Sequence, residues 1–382
     1  MKDNKIRVLH TTTFLNTGGT EALLKEYIMR VSKNRFVSAV MCSGKRHHTV
    51  VEDYFAEKGI RTFFVGDHLK RRGIPGFSVY NALKCYLLSY RYISSVKPDI
   101  IHAHLWTTRF IIPYVITHPR VKLFHTVHCP PWQMFEDGKT SKKENVAVKF
   151  LTKRCGMRLI ALHPEMAKEL NSRFGLDDTA VLNNGIDIGK FRNPGVSKAQ
   201  MRRELGLPED AFVLGHVGRF APEKNHSFIL KVFAELLKKK PDAYLLLVGS
   251  GICEDEVMEM IRSSGVDDRI LPISNRGDIE RVLTAMDAFI FPSLFEGLGI
   301  ALLEAQAAGL RCVVSENVPS ETHASDRLTA LSLDAPLSEW VDAILDPEPH
   351  SVPEVDLSIY DIRESIASLE KMYLHAVGAS EE

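Results

Sequence analysis

Phe212-Val213-Leu214-Gly215-His216-Val217 is an almost unbroken apolar run, followed by the loop Gly218-Arg219-Phe220-Ala221-Pro222-Glu223-Lys224-Asn225. Residues 227–239 then repeat apolar positions at helical spacing. An apolar run, a loop turned by Gly and Pro, and an amphipathic stretch together read as a buried parallel strand feeding a crossover helix. The unit recurs downstream, with strands at 244–248, 270–271, 288–291 and 312–315 and helices at 254–264, 279–286 and 300–308. Upstream, strands at 6–11, 37–41, 62–65, 100–103, 122–127 and 158–161 alternate with helices at 20–32, 50–58 and 79–95. Such alternation predicts the α/β class, with two doubly wound parallel sheets in tandem. The linker is Asn183-Asn184-Gly185-Ile186-Asp187, whose Asn-Gly step favours a turn. It sets a first domain over 1–187, a second over 188–358 and a last helical segment within 359–382, as 382 residues allow. Ligands of such sheets bind at the carboxyl ends of the strands, so two facing sheets would leave a cleft.

Charge is divided between the halves. The chain has 48 Lys and Arg against 48 Asp and Glu, but residues 1–190 hold 30 against 16 and the remainder 18 against 32. The halves are therefore +14 and −14. Basic residues gather at Lys70-Arg71-Arg72, at 139–143, and at Lys149, Lys153, Arg154 and Arg158. The last group alternates with Val146, Val148, Phe150, Leu151, Met157 and Leu159 as in a basic amphipathic helix. Such a helix packs on its own core or lies on anionic lipid, where each cation adds ~1 kcal/mol. The charge of the whole half points to an anionic membrane surface, and no nucleic-acid-binding module accompanies it. No apolar run approaches the ~18 residues of a spanning helix, and residues 1–5 enter a strand without a signal-peptide core. The expectation is a cytoplasmic protein, at most peripheral at the inner face of the cell membrane. Cys42, Cys85, Cys129, Cys155, Cys253 and Cys312 form no CxxC pair, which predicts reduced, mostly buried thiols.

Five features fall at strand ends. Gly18-Gly19, inside Asn16-Thr17-Gly18-Gly19-Thr20-Glu21, opens a helix where backbone can approach an anion, although a plain strand–helix turn would look the same. It is not GxGxxG, which disfavours a nicotinamide dinucleotide. His128 follows the strand 122–127 and could orient a hydroxyl near neutral pH. His102 and His104 share a strand face but lack a third ligand at a recognisable spacing, so no metal site is expected. Arg219 and Lys224, five residues apart, can converge on one diphosphate. Glu296 and Glu304 stand eight residues apart across Gly297-Leu298-Gly299-Ile300-Ala301, a gap of ~12 Å at 1.5 Å per residue. The free amides at that helix start would hold a diphosphate between the two carboxylates. Gly249-Ser250-Gly251 and Ser274-Asn275-Arg276 could floor a nucleobase through backbone contacts.

In this order, Gly18-Gly19, His128, Arg219 with Lys224, and Glu296-x7-Glu304 resemble the retaining family 4 glycosyltransferases of GT-B fold, over nearly the whole chain. Residues 292–309, Val318-Pro319-Ser320-Glu321, Leu331-Ser332-Leu333 and Trp340 are similar to a bacterial exopolysaccharide or capsule subgroup. One position departs, since the usual Leu-Gly is Ile273-Ser274 here. The resemblance implies two Rossmann-like domains facing across a cleft, the terminal helix crossing back to the first. It implies that Arg219, Lys224 and the backbone of Ile300 and Ala301 neutralise a donor diphosphate, and that Glu304 holds ribose hydroxyls. Glu296 would contact the transferred sugar and His128 one of its hydroxyls. Gly18, Gly19, Gly249, Ser250, Asn275, Arg276, Gly297, Leu298 and Gly299 would complete the donor site. No metal or other cofactor is implied. The expected reaction moves a sugar from a nucleoside diphosphate, a UDP-sugar by expectation, to a hydroxyl of a lipid-linked saccharide. A sugar-nucleotide epimerase of the same fold and a non-catalytic saccharide-binding partner are the alternatives.

Overall fold

Residues 5–16, 18–69, 77–274, 276–346 and 356–380 are described by a computed structural model. Lys70-Arg71-Arg72 and Asn275 lie outside the described residues.

Seven parallel strands form the first sheet: β1 (Ile6–Thr12), β2 (Phe36–Cys42), β3 (Arg61–Phe64), β4 (Ile100–His104), β5 (Lys122–Thr126), β6 (Arg158–Ala161) and β7 (Ala180–Val181). Their order across the sheet is β3-β2-β1-β4-β5-β6-β7. The second sheet holds β8 (Val213–Val217), β9 (Tyr244–Val248), β10 (Ile270–Ile273), β11 (Ala288–Phe291), β12 (Arg311–Ser315) and β13 (Leu328–Leu331), in the order β10-β9-β8-β11-β12-β13. Helices link the strands because parallel neighbours require crossovers, and covered faces require apolar strands such as Tyr244–Val248 and Ala288–Phe291. In each sheet the winding reverses once, between β1 and β4 and between β8 and β11. Ligand crevices of open parallel sheets lie at such points, outside the carboxyl ends of the strands.

The first compact unit comprises Met1–Asn184 and Arg363–Glu382, the second Gly185–Ile362. The terminal helix, Ile362–Val377, therefore packs almost wholly within the first unit, where Ser365 Oγ donates to the Asn183 carbonyl at 2.8 Å. The chain divides three residues before the boundary read from the linker and again after Ile362 rather than at 358. The second core packs Phe233, Leu236, Leu245, Leu247 and Ile290 around fully buried Trp340, whose indole N–H reaches the Ser332 carbonyl at 3.2 Å.

Several elements were not legible in the sequence. Helix Thr108–Thr117 contains Pro113, which removes one i→i−4 hydrogen bond and reads as a break. Strand β7 has only two residues, too short for any pattern. The basic helix runs from Gly138 to Cys155, and its expected apolar face splits: Val148 and Leu151 enter the core, whereas Val146 and Phe150 face solvent. Met157 and Leu159 lie beyond it, buried before and within β6. Of the six thiols only Cys42 and Cys312 are buried, so the expectation of mostly buried cysteines is corrected; the other four are half-buried.

Candidate active site

The second reversal point, between β8 and β11, carries a cluster of paired polar side chains. After β8 the chain turns through Pro222–Lys224 and Asn225, and after β11 through Pro292 to Gly299. Two hydrogen bonds tie these loops together: the Leu294 amide to the Glu223 carbonyl at 2.8 Å, and Asn225 Nδ2 to the Pro292 carbonyl at 3.3 Å. Across the seam, Lys224 Nζ donates to Glu296 Oε1 and lies 4.8 Å from the centroid of the Phe291 ring. Ser293 Oγ donates to the same carboxylate oxygen at 2.6 Å, and the Ser293 carbonyl is held by Ser315 Oγ at the end of β12. The pair is nearly enclosed, with 13% and 10% of its side chains exposed. Desolvated ions need such partners, because an unpaired charge there would cost several kcal/mol.

Arg219 does not join that pair. Its guanidinium bonds Glu223 at 2.9 Å and remains 62% exposed, so each cation of the loop is matched to its own carboxylate. Glu304 lies within helix Ile300–Ala307, half-buried, its carboxylate without a hydrogen-bond partner among the described residues. Burial pushes its carboxyl up to about 8; the nearby Lys190 opposes this and Glu280 adds to it. Lys190 itself bridges Glu280 at 3.0 Å. The helix starts from Gly299 at φ +87°, a conformation that favours glycine, and the amides of Ile300 and Ala301 find no backbone acceptor among the described residues. Gly297 and Leu298, just before the helix, are buried.

Beside this, the loops after β8, β9 and β10 are knit by backbone bonds, Gly218 amide to Val248 carbonyl at 3.0 Å and Gly249 amide to Ile273 carbonyl at 2.8 Å. Gly249 is required by closeness: a Cβ there would stand 1.9 Å from the Gly218 carbonyl oxygen. The Ser250 carbonyl accepts from the Phe220 amide at 2.9 Å, so that oxygen is spent on the fold. Arg276 is likewise engaged, bidentate to Asp278 at 2.7 Å on both oxygens.

The remaining candidates belong to the first unit. Gly18 caps helix Gly19–Arg30, with its carbonyl accepting from the Ala22 amide at 3.0 Å. His128 is half-buried just beyond β5, and its Nε2 meets His104 Nδ1 at 2.9 Å. Its Nδ1 is buried without a partner among the described residues. His10 was not singled out in the sequence, yet β1 and β4 pair His10 with His102 in register, and period-2 alternation brings His104 to the same face. The missing signal was that register. His10 supplies the third imidazole that spacing did not reveal, and nitrogens of His10, His102 and His104 lie within 4.8 Å of one another. Ser293, Lys190 and Tyr373 also escaped the sequence reading.

Residues 17–190 match the family described as Glycosyltransferase Family 4, and residues 197–338 the family described as glycosyl transferases group 1. The chain is 26% identical to the putative glycosyltransferase EpsF of Bacillus subtilis (strain 168), across 98% of this chain and 97% of that protein. It is 27% identical to the UDP-Gal:alpha-D-GlcNAc-diphosphoundecaprenol alpha-1,3-galactosyltransferase of Escherichia coli, across 82% of this chain and 80% of that one. Among solved structures, Anabaena HepE in complex with UDP and glucose shares the fold with a TM-score of 0.74 at 18% identity, covering 97% of this chain and 100% of that chain. Matched over both of its sheets, the chain belongs to the family 4 glycosyltransferases of GT-B fold.

Proposed function

We propose that the protein is a retaining, metal-independent glycosyltransferase that passes a sugar from a UDP-sugar to a hydroxyl of a lipid-linked saccharide in exopolysaccharide or capsule synthesis. The observation that carries this reading is the enclosed Lys224–Glu296 pair beside the open amino end of helix Ile300–Ala307. A diphosphate placed there meets Lys224, the free amides of Ile300 and Ala301, and Arg219 once it leaves Glu223. Those groups supply the positive charge that a divalent ion would otherwise provide. Glu296 keeps Oε1 on Lys224 and Ser293, which leaves Oε2 for a hydroxyl of the transferred sugar. Glu304, short of partners, takes the ribose hydroxyls; with its carboxyl up to about 8 it can donate as well as accept. His128 binds a sugar hydroxyl through Nδ1. The bond from the anomeric carbon to the phosphate oxygen breaks and a bond to the acceptor oxygen forms on the same face. The acceptor's proton passes to the leaving phosphate, so no side chain becomes a covalent nucleophile.

The choice of UDP and of a lipid-linked acceptor is supported by the ligands named for HepE and by the substrate named for the Escherichia coli relative. The membrane is supported by surface chemistry. Helix Phe77–Val96 exposes Val79, Leu83 and Leu87 at four-residue spacing, 66%, 67% and 56% open to solvent. Helix Gly138–Cys155 exposes Val146 and Phe150 among Lys142, Lys143, Lys149, Lys153 and Arg154. Apolar residues set among cations are the chemistry that docks on anionic lipid.

A thermal-shift screen of nucleotide-sugars identifies the donor, since a ligand that binds only the folded state raises stability with its concentration. With that donor and a lipid-linked acceptor, Glu296→Ala should cut transfer about 10²–10³-fold. Near-normal turnover would overturn the site. Flotation with anionic vesicles should show salt-sensitive binding that Leu83→Glu weakens; no binding at low salt would remove the membrane from the reading.

A further inference from the structure

Four histidines, His10, His102, His104 and His125, are buried near the carboxyl ends of β1, β4 and β5, and His128 follows them. Burying an imidazole among apolar strands is expensive unless its nitrogens are paired. Burial holds His10, His125 and His128 down to about 3, and His102 and His104 well below the ordinary histidine range. Each ring therefore stays neutral at any pH near 7, with one N–H and one lone pair.

Two arrangements compete for these rings. His10, His102 and His104 stand close enough to share a metal ion. Both nitrogens of His102 are, however, already in use: Nδ1 with the Tyr373 hydroxyl at 2.6 Å and Nε2 with Thr126 Oγ1 at 2.7 Å. The group includes no carboxylate or thiolate among the described residues. A metal would have to break one of those bonds and then rest on neutral imidazoles alone. The other arrangement is already made. His10 Nδ1 meets His104 Nε2 at 3.3 Å, and His104 Nδ1 meets His128 Nε2 at 2.9 Å. A neutral chain of this kind has two consistent proton orders. In one, every N–H points toward His128 and His128 Nδ1 carries hydrogen; in the other, all point away and that nitrogen carries a lone pair. The free end of the chain is thus His128 Nδ1, buried and unpartnered among the described residues.

We infer that His104, with His10 behind it, is a positioning residue that fixes the tautomer and orientation of His128, and so decides whether His128 Nδ1 gives or accepts the hydrogen bond to the sugar hydroxyl. The inference rests on the reading of His128 as a sugar contact. The linked imidazoles set the outer nitrogen's role together, donor in one proton order and acceptor in the other, where an unlinked ring would choose independently.

The test compares the full-length wild type with His104→Phe, His104→Asn and His10→Asn. Long-range ¹⁵N–¹H spectra report the tautomer of the His128 ring, and steady-state kinetics use the donor found by thermal shift. Wild type should show one neutral tautomer. His104→Phe should show a mixture and lose kcat about ten- to hundredfold, with donor KM changed by less than about twofold. His104→Asn, whose amide can give or accept where Nδ1 stood, should regain most of the rate and a single tautomer. His10→Asn should shift the same signals less, and keeps the comparison open should the phenylalanine variant not fold. An unchanged tautomer in His104→Phe overturns the inference, as does equal loss in the Phe and Asn variants. Zinc that copurifies with wild type but not with His104→Phe overturns it in favour of a metal centre. The tautomer needs no turnover to be read. Full activity of His128→Ala would therefore count against the sugar contact alone.

Discussion

The two sheets end in opposite solutions to one problem, how to hold polar groups where a parallel sheet reverses. The first unit removes charge: its imidazoles are kept neutral by burial and linked ring to ring, with His102 tied off by Tyr373 and Thr126. The second unit keeps charge and matches it, with Lys224 on Glu296 and Arg219 on Glu223. A neutral network couples the proton positions of its rings, because each ring has one donor and one acceptor. An ion pair keeps charge in place, which the proposed diphosphate would claim. The difference teaches that the crevice at a sheet's reversal point fixes where chemistry sits but leaves its kind to a few side chains.

Breaking the ion pair is the harshest test of that contrast. Lys224→Met alone should destabilise by about 3–5 kcal/mol, since Glu296 is then buried without its partner. The double variant Lys224→Met/Glu296→Leu should recover most of that stability while remaining inactive. Denaturant melts of the two, side by side, check it; a double variant as unstable as the single would mean that the charges are not the issue. In the first unit, Tyr373→Phe leaves His102 Nδ1 unsatisfied and should cost about 1–3 kcal/mol. Because the rings are neutral, that loss should not vary with salt between low and high ionic strength, unlike effects in the second unit.

Arg219→Ala should raise the donor KM about tenfold and lower the melting temperature only slightly, because the guanidinium is 62% exposed and, among the described residues, its ion pair is with Glu223. A large loss of stability there would place Arg219 in the scaffold instead. A pH-dependent effect concerns Glu304. Its native carboxyl is raised from 4.5 to about 8, so the folded state binds a proton that the unfolded state has released. Ligand-free stability therefore falls as pH rises from about 4.5 to about 8 and levels off above. Glu304→Gln should abolish that decline, melting a few degrees above wild type near pH 9 and no higher near pH 4, while binding donor more weakly. Parallel melting curves at both pH values would refute the assignment.

Much of the second site was legible because its parts are close in sequence. The loop from Gly218 to Asn225 and the run from Glu296 to Glu304 each follow a strand directly, so strand ends and helix start could be read locally. The Lys224–Glu296 contact was not read, since it spans 72 residues and depends on β8 lying next to β11. In the first unit the shortfall was larger. His10 meets His104 across 94 residues, and His102 meets Tyr373 across 271. A one-residue slip between β1 and β4 would have turned His10 to the other face.

The sequence by itself determined the succession of strands and helices, the uneven charge of the halves, and the loops where cations and carboxylates stand. Those follow from local periodicity and from the conformational demands of Gly and Pro, which act over a few residues. Only the tertiary structure decided which acid each cation takes, that the terminal helix serves the first unit, and that scattered histidines become one chain. Strand register and order come from how whole apolar faces pack, a free-energy balance over the entire sheet that no local stretch contains.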